Sequence, residues 1–262
     1  MKRFWWVWFF MLTASVASAD TLAERLIARY ERVETITCDV RRDVSNEDGR
    51  LRWLSRVYYQ QPDRLHVENH APLPRRIIAD GETMYQHSDG EPRGFRRAIA
   101  ELDDRMLHGL RKVPGTAMDH LYRLQGTPEQ VLDGDSDYPP VDGDSDDGDR
   151  DSDYPLQRGY DAENVYVVLH ADEAYRLGRL EFYTDSERTE MTGEIDFSAF
   201  EEVLEDVWIP LLHQGRFQVG GLENRETTRI SNVTVNEPIP EHLFNAAAFF
   251  DNVDWVDRFE DL

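Results

Sequence analysis

From residue 35 onward, most of the chain is built of short stretches in which apolar side chains recur at every second position, and each stretch ends at a turn signal. Residues 35–44 carry Ile36, Cys38, Val40 and Val44 at this spacing, and Ser45-Asn46-Glu47-Asp48-Gly49 has the composition of a hairpin turn. Residues 51–60 return with Leu51, Trp53, Val57 and Tyr59 on one face, and Pro62-Asp63 breaks the run. Leu65 and Val67 begin a third strand that ends before Pro72-Leu73-Pro74. Residues 75–79 and 82–87 then form a further pair around Asp80-Gly81. A period of two places alternate side chains on opposite sides of a sheet, so each run has one face to bury and one to hydrate. Runs joined by tight turns lie antiparallel, which predicts a meander.

The period changes twice. Leu22, Leu26, Ile27, Tyr30 and Val33 fall at helical spacing, with Glu24, Arg25, Arg29 and Glu31 on the other face. Between residues 95 and 124 apolar residues recur every three or four positions (Ile99, Leu102, Met106, Leu107, Leu110, Met118, Leu121, Tyr122), which predicts two helices separated by Pro114-Gly115. Strands resume at 164–170, 176–183, 191–200, 207–212, 215–219 and 226–235. About ten strands, a leading helix and a central helical pair describe one α+β domain spanning residues 20–262.

Residues 1–19 read as a signal peptide. Lys2 and Arg3 precede a Trp- and Phe-rich apolar run, and Ala17-Ser18-Ala19 supplies a small-residue cleavage site before Asp20. The apolar run, about 13 residues, is shorter than the roughly 20 a spanning helix needs. Asp20 rather than Cys follows the site, so no lipid anchor is expected on the chain itself. Cleavage takes the formal charge from −23 to −25, which argues against nucleic acid as a partner. Cys38 is the only cysteine and lies in an alternating strand, where a small buried side chain is expected.

Residues 133–156 stand apart as an insert. Asp-Ser-Asp-Tyr-Pro occurs at 135–139 and 151–155, and ten aspartates face Arg150 alone within 133–154. Such a stretch has too little apolar surface to order itself. Asp142, Asp144 and Asp146 have the oxygen spacing of a calcium loop, but Asp147 stands where a glycine turn is expected and Asp153 where a bidentate Glu belongs. The insert therefore reads as a solvated, disordered loop. His66 and His70 share a strand face without a third ligand near them in sequence, so no zinc site is indicated. The chain has no nucleophile elbow, phosphate loop or dinucleotide fingerprint, and its carboxylates are too many for any pair to stand out as acid and base. No enzyme activity and no cofactor are expected.

The run Tyr58-Tyr59-Gln60-Gln61-Pro62-Asp63-Arg64-Leu65-His66-Val67-Glu68, followed by Pro72 or Pro74 and then Ile77-Ile78-Ala79-Asp80-Gly81-Glu82-Thr83-Met84-Tyr85, resembles the periplasmic lipoprotein carriers, the LolA-like proteins. The closing stretch is similar too, from Trp208-Ile209-Pro210 to Asn236-Glu237-Pro238-Ile239-Pro240 and Leu243-Phe244. The resemblance implies an unclosed antiparallel half-barrel whose apolar face, lidded by helices, holds acyl chains. It also implies a periplasmic location, lipoprotein or lipid cargo, an inner-membrane donor complex, an outer-membrane acceptor and a monomeric state. At the strand-ending Pro the better-known carriers have an Arg that ties the sheet to the lid; Gln61 stands there instead and is the expected lid contact, without charge assistance.

Strand alternation assigns Trp53, Val57, Tyr59, Leu65, Val67, Ile77, Met84, Leu180 and Phe182 to the cavity wall. A filled core would use the same face. The leading expectation is a carrier that shields acyl chains between sheet and lid on the way to the outer membrane. The alternative is a sensing or regulatory module on the same fold that contacts an envelope membrane protein.

Overall fold

A computed structural model describes residues 20–132, 154–162 and 164–262. The predicted signal peptide and the candidate calcium residues Asp142, Asp144 and Asp146 lie outside the described residues.

The leading helix, α1 (Leu22–Tyr30), starts at a capping box: the Thr21 hydroxyl accepts from the Glu24 N–H at 3.2 Å, and the Glu24 carboxylate accepts from the Thr21 N–H at 2.8 Å. Leu22, Ala23, Leu26, Ile27 and Tyr30 form its buried stripe.

Six strands follow: β1 (Thr35–Asn46), β2 (Gly49–Gln60), β3 (Arg64–Ala71), β4 (Arg75–Asp80), β5 (Thr83–Ser88) and β6 (Arg93–Ala98). Helices α2 (Asp104–Arg111) and α3 (Met118–Leu121) separate them from a second series. This comprises β7 (Glu129–Leu132), β8 (Leu156–Ala162), β9 (Val165–Ala171), β10 (Leu177–Tyr183), β11 (Met191–Leu204), β12 (Val207–Val219) and β13 (Leu222–Val235), with β14 (Asp254–Val256) last. All fourteen lie in one curved sheet of order β14-β6-β5-β4-β3-β2-β1-β13-β12-β11-β10-β9-β8-β7. Two meanders are thus joined through the antiparallel β1–β13 pair, and β14 adds in parallel to β6. The sheet does not close: β14 and β7 are its edges.

The register sorts side chains onto two faces. Ile36 opposite Tyr59, Cys38 opposite Val57, Val57 opposite Val67 and Leu65 opposite Ala79 build the inner face of the first meander. Val167 opposite Phe182 and Leu169 opposite Leu180 continue it in the second. All three helices cover this face, and the main core joins α1 and α3 to Ile36, Tyr59, Tyr160, Leu169 and Leu180. Each such side chain, fully buried, contributes roughly 1.5–3 kcal/mol of transfer free energy.

Among the described residues the half-barrel has fourteen strands where about ten are expected. Residues 93–98, placed partly in a helix by the spacing of Phe95 and Ile99, instead pair with β5 and β14. Phe95 is buried there under Phe259, with ring centroids 4.1 Å apart. Tertiary pairing overrides a local period in this stretch. The predicted strands 207–212 and 215–219 are one, because His213 and Gln214 keep their pairing to both β11 and β13.

Part of the outer face is buried as well. The C-terminal segment crosses β3–β5, where His66 meets Phe249 at 4.7 Å and Tyr58 at 5.6 Å, and Tyr85 meets Trp255 at 5.4 Å. His66 and Ile78 are fully buried beneath it.

Candidate functional site

The lid runs from Ile99 to Leu124 over the inner face. Asp103 caps α2 by accepting from the Met106 N–H at 2.8 Å, and Met106, Leu107 and Leu110 pack on Leu65, Ala79 and Met84. The end of α2 is pinned twice. The Tyr59 hydroxyl donates to the Arg111 carbonyl at 2.6 Å, and the Arg111 guanidinium donates to the Asp63 carboxylate at 2.7 and 3.4 Å. Burial raises the Tyr59 phenol well above its usual range, so it remains a donor.

Beyond α2 the chain turns sharply at Gly115, whose φ of +81° favours glycine. A Cβ there would lie 2.6 Å from Ile230 Cδ1, so the turn also requires the missing side chain to approach the sheet. Val113, Ala117, Met118 and Leu121 then anchor the lid in the main core.

Among the described residues, two cavities lie between lid and sheet. The first, about 530 Å³, is walled by Val40, Arg42 and Val44 on β1, Asn224, Glu226, Thr228 and Ile230 on β13, His213, Gly215 and Phe217 on β12, and Ile195 and Phe197 on β11. Lys112, Gly115, Thr116, Ala117, Asp119 and His120 of the lid close it. The second, about 730 Å³, is walled by Ala162, Val165, Val167, Phe182, Thr192, Phe217 and Gln218, with His120, Arg123 and Leu124. Phe217 and His120 belong to both walls, so the two spaces adjoin. The Phe217 ring occupies space that side chains would take at Gly193 and Gly215, where a Cβ would lie 2.5 and 2.8 Å from it. Two strand-interior glycines thus let an aromatic ring lie against the backbone.

The four charged groups at the first cavity are paired. Arg42 Nη2 is 2.6 Å from Glu226 Oε2, and Lys112 Nζ is 3.3 Å from Asp119 Oδ2. Burial opposes ionisation of Asp119, but Lys112 and His120 outweigh it and hold its carboxyl below the usual range. His120 and His213 are both pushed below the ordinary imidazole range, chiefly by burial, which favours their neutral forms. Among the described residues no group of three or more His, Cys, Asp or Glu is arranged to hold a metal ion.

All nine residues assigned to the wall by alternation do share the inner face, and Phe182 lines the second cavity. The others are packed into the surrounding wall. Tyr59 and Leu180 are fully buried in the main core, and Val57 packs with Cys38, Ile230 and Val67. Leu65 bridges three clusters, and Met84 lies under α2. Ile77 is half-buried opposite Val67, and the half-buried Trp53 lies under Arg42, whose guanidinium is 5.6 Å from the ring centroid. The open space is thus centred on β1 and β9–β13, because α2 fills the region over β3–β5.

Gln61 does not reach the lid. Its Nε2 donates to the carbonyls of Glu31 at 2.8 Å and Val33 at 3.0 Å, so it secures the end of α1. The sheet-to-lid tie is made by Tyr59 and Asp63 instead. The residues that alternation passed over (Arg42, Asp119, His120, His213, Phe217 and Glu226) carry one readable signal, the interior glycines Gly193 and Gly215 that flank Phe217.

No family model and no curated protein matches this chain. Solved structures do. A LolA superfamily protein from Nitrosomonas europaea is similar at a TM-score of 0.51 and 12% identity, covering 86% of this chain and 98% of that one. A domain assigned to outer membrane lipoprotein sorting from Vibrio parahaemolyticus gives 0.54 and 13%, covering 86% and 95%. A DUF1329 family protein from Desulfovibrio piger gives 0.51 and 12%, covering 87% and 96%. The chain therefore has the LolA-like fold, an unclosed antiparallel half-barrel lidded by helices. No helix among the described residues is long and apolar enough to cross a membrane.

Proposed function

We propose that the chain is a non-enzymatic periplasmic carrier that holds the acyl part of a lipoprotein or lipid between the sheet and the helical lid. The observation that carries this reading is the pair of adjoining cavities, about 530 and 730 Å³, on the helix-covered face of an open sheet. Ala162, Val165, Val167, Leu124 and Phe182 make much of the larger wall apolar. Burying one methylene is worth about 0.8 kcal/mol, so twelve give roughly 10 kcal/mol before the costs of association. A fold neighbour assigned to lipoprotein sorting supports the same reading. The signal-peptide pattern of residues 1–19 supports work outside the cytoplasm. A donor at the inner membrane would load it and an acceptor at the outer membrane would unload it.

The test is titration of delipidated protein with a fluorescent long-chain fatty acid. Saturable one-to-one binding is expected, weakened at least about tenfold in Val165→Trp, which fills the second cavity. Absence of saturable binding would refute the carrier reading.

A further inference from the structure

We infer that the first cavity is a headgroup site, and that its ligand is a single-chain zwitterionic amphiphile carrying an anion and an ammonium on one headgroup. The inference rests on the carrier reading and specifies the cargo. The walls of this cavity hold two cations and two carboxylates: Arg42 and Glu226 on the sheet, Lys112 and Asp119 on the lid. Each wall contributes one charge of each sign, already paired at 2.6 Å and 3.3 Å. All four side chains keep partial solvent exposure, between 26% and 51%, so the pairs can be opened without stranding a fully buried charge.

Charge sign then selects the ligand. A purely anionic head placed at Arg42 and Lys112 meets Glu226 and Asp119 beside them, and a purely cationic head meets the reverse; like-charge juxtaposition is unfavourable in either case. A zwitterion satisfies both: its anion takes the guanidinium and ammonium, its own ammonium takes the two carboxylates. Thr228, which donates to Glu226 at 3.2 Å, and the neutral imidazoles of His120 and His213 add uncharged hydrogen-bonding groups.

The tail has a separate place. Across Phe217 and His120 the second cavity carries Arg123 as its one formally charged side chain among the described residues. A methylene takes up about the room of a liquid water, roughly 30 Å³. The 730 Å³ space therefore has room for one long acyl chain. The four charged side chains favour the head at the first cavity, whose wall is otherwise largely apolar, and the chain in the second.

The experiment is competitive displacement of a bound fluorescent fatty acid from delipidated full-length protein by three ligands sharing one palmitoyl chain: lysophosphatidylethanolamine, lysophosphatidylglycerol and palmitate. The zwitterion is expected to bind at least about tenfold more tightly than either anion. Glu226→Gln with Asp119→Asn should erase that preference and tighten the two anions, while Arg42→Gln should weaken all three headgroup-dependent affinities. Equal affinities in the wild type, or a ranking unchanged in the Glu226/Asp119 double variant, would overturn the headgroup site while leaving the carrier reading standing. Failure of every acyl ligand to bind would remove both.

Discussion

The end of α2 is held to the sheet by two small ties, and removing them should make a measurable change in the lid. Tyr59→Phe keeps the buried ring and deletes the hydroxyl that donates to the Arg111 carbonyl at 2.6 Å. Asp63→Asn removes the negative charge that Arg111 meets at 2.7 Å. A neutral hydrogen bond contributes about 1 kcal/mol net, and a partly exposed ion pair about 0.5 kcal/mol. Together the losses amount to about 1.5 kcal/mol, or roughly a tenfold rise in the population of the open lid if the two add. Amide hydrogen exchange reads this directly: peptides covering residues 104–124 should exchange about tenfold faster in the double variant, with β1, β2, β12 and β13 unchanged. Unchanged exchange in 104–124 would refute the idea that these contacts hold the lid. Equal acceleration across the sheet would show that they stabilise the whole fold rather than the lid.

Other consequences are more local. Gly115→Ala places a Cβ 2.6 Å from Ile230 Cδ1 at a φ of +81°, and should cost about 2 kcal/mol or more, read as a lower urea midpoint. His66 is fully buried, and burial, helped by Arg76 and opposed by Glu68, pushes its imidazole from 6.5 down to about 4. Its folded pKa is thus depressed, so its contribution to stability is complete above pH 6.5 and is lost as pH falls toward 4, at up to about 1.4 kcal/mol per pH unit. The urea midpoint of His66→Phe should fall less between pH 7 and pH 4.5 than that of the wild type; parallel curves would contradict this account.

The alternation of Ile36, Cys38, Val57, Tyr59, Leu65 and Val67 made the inner face readable, since a period of two leaves no choice about which side chains share a side. It also placed Cys38 correctly in the core, where burial pushes its thiol up to about 12. The same pattern carries no information on which strands the lid fills and which it leaves open. That depends on α2 settling over Ala79 and Met84, and on Gly115 letting the lid descend onto Ile230. Strand β6 shows no alternation because Phe95 is the one large apolar residue in its six. Its burial depends on Phe259, more than 160 residues away in sequence. The Tyr59 and Asp63 ties to Arg111 span 52 and 48 residues and leave no local pattern, whereas Gln61 stands out only against the Arg of the LolA-like carriers.

The most direct test of the carrier account is mass spectrometry of small molecules extracted from protein isolated from the cell envelope without detergent. Lipid carriage should show as about one acyl-bearing amphiphile per chain, absent from Val165→Trp prepared in the same way. Protein that carries no acyl compound, and takes up none on incubation with envelope lipids, would contradict it.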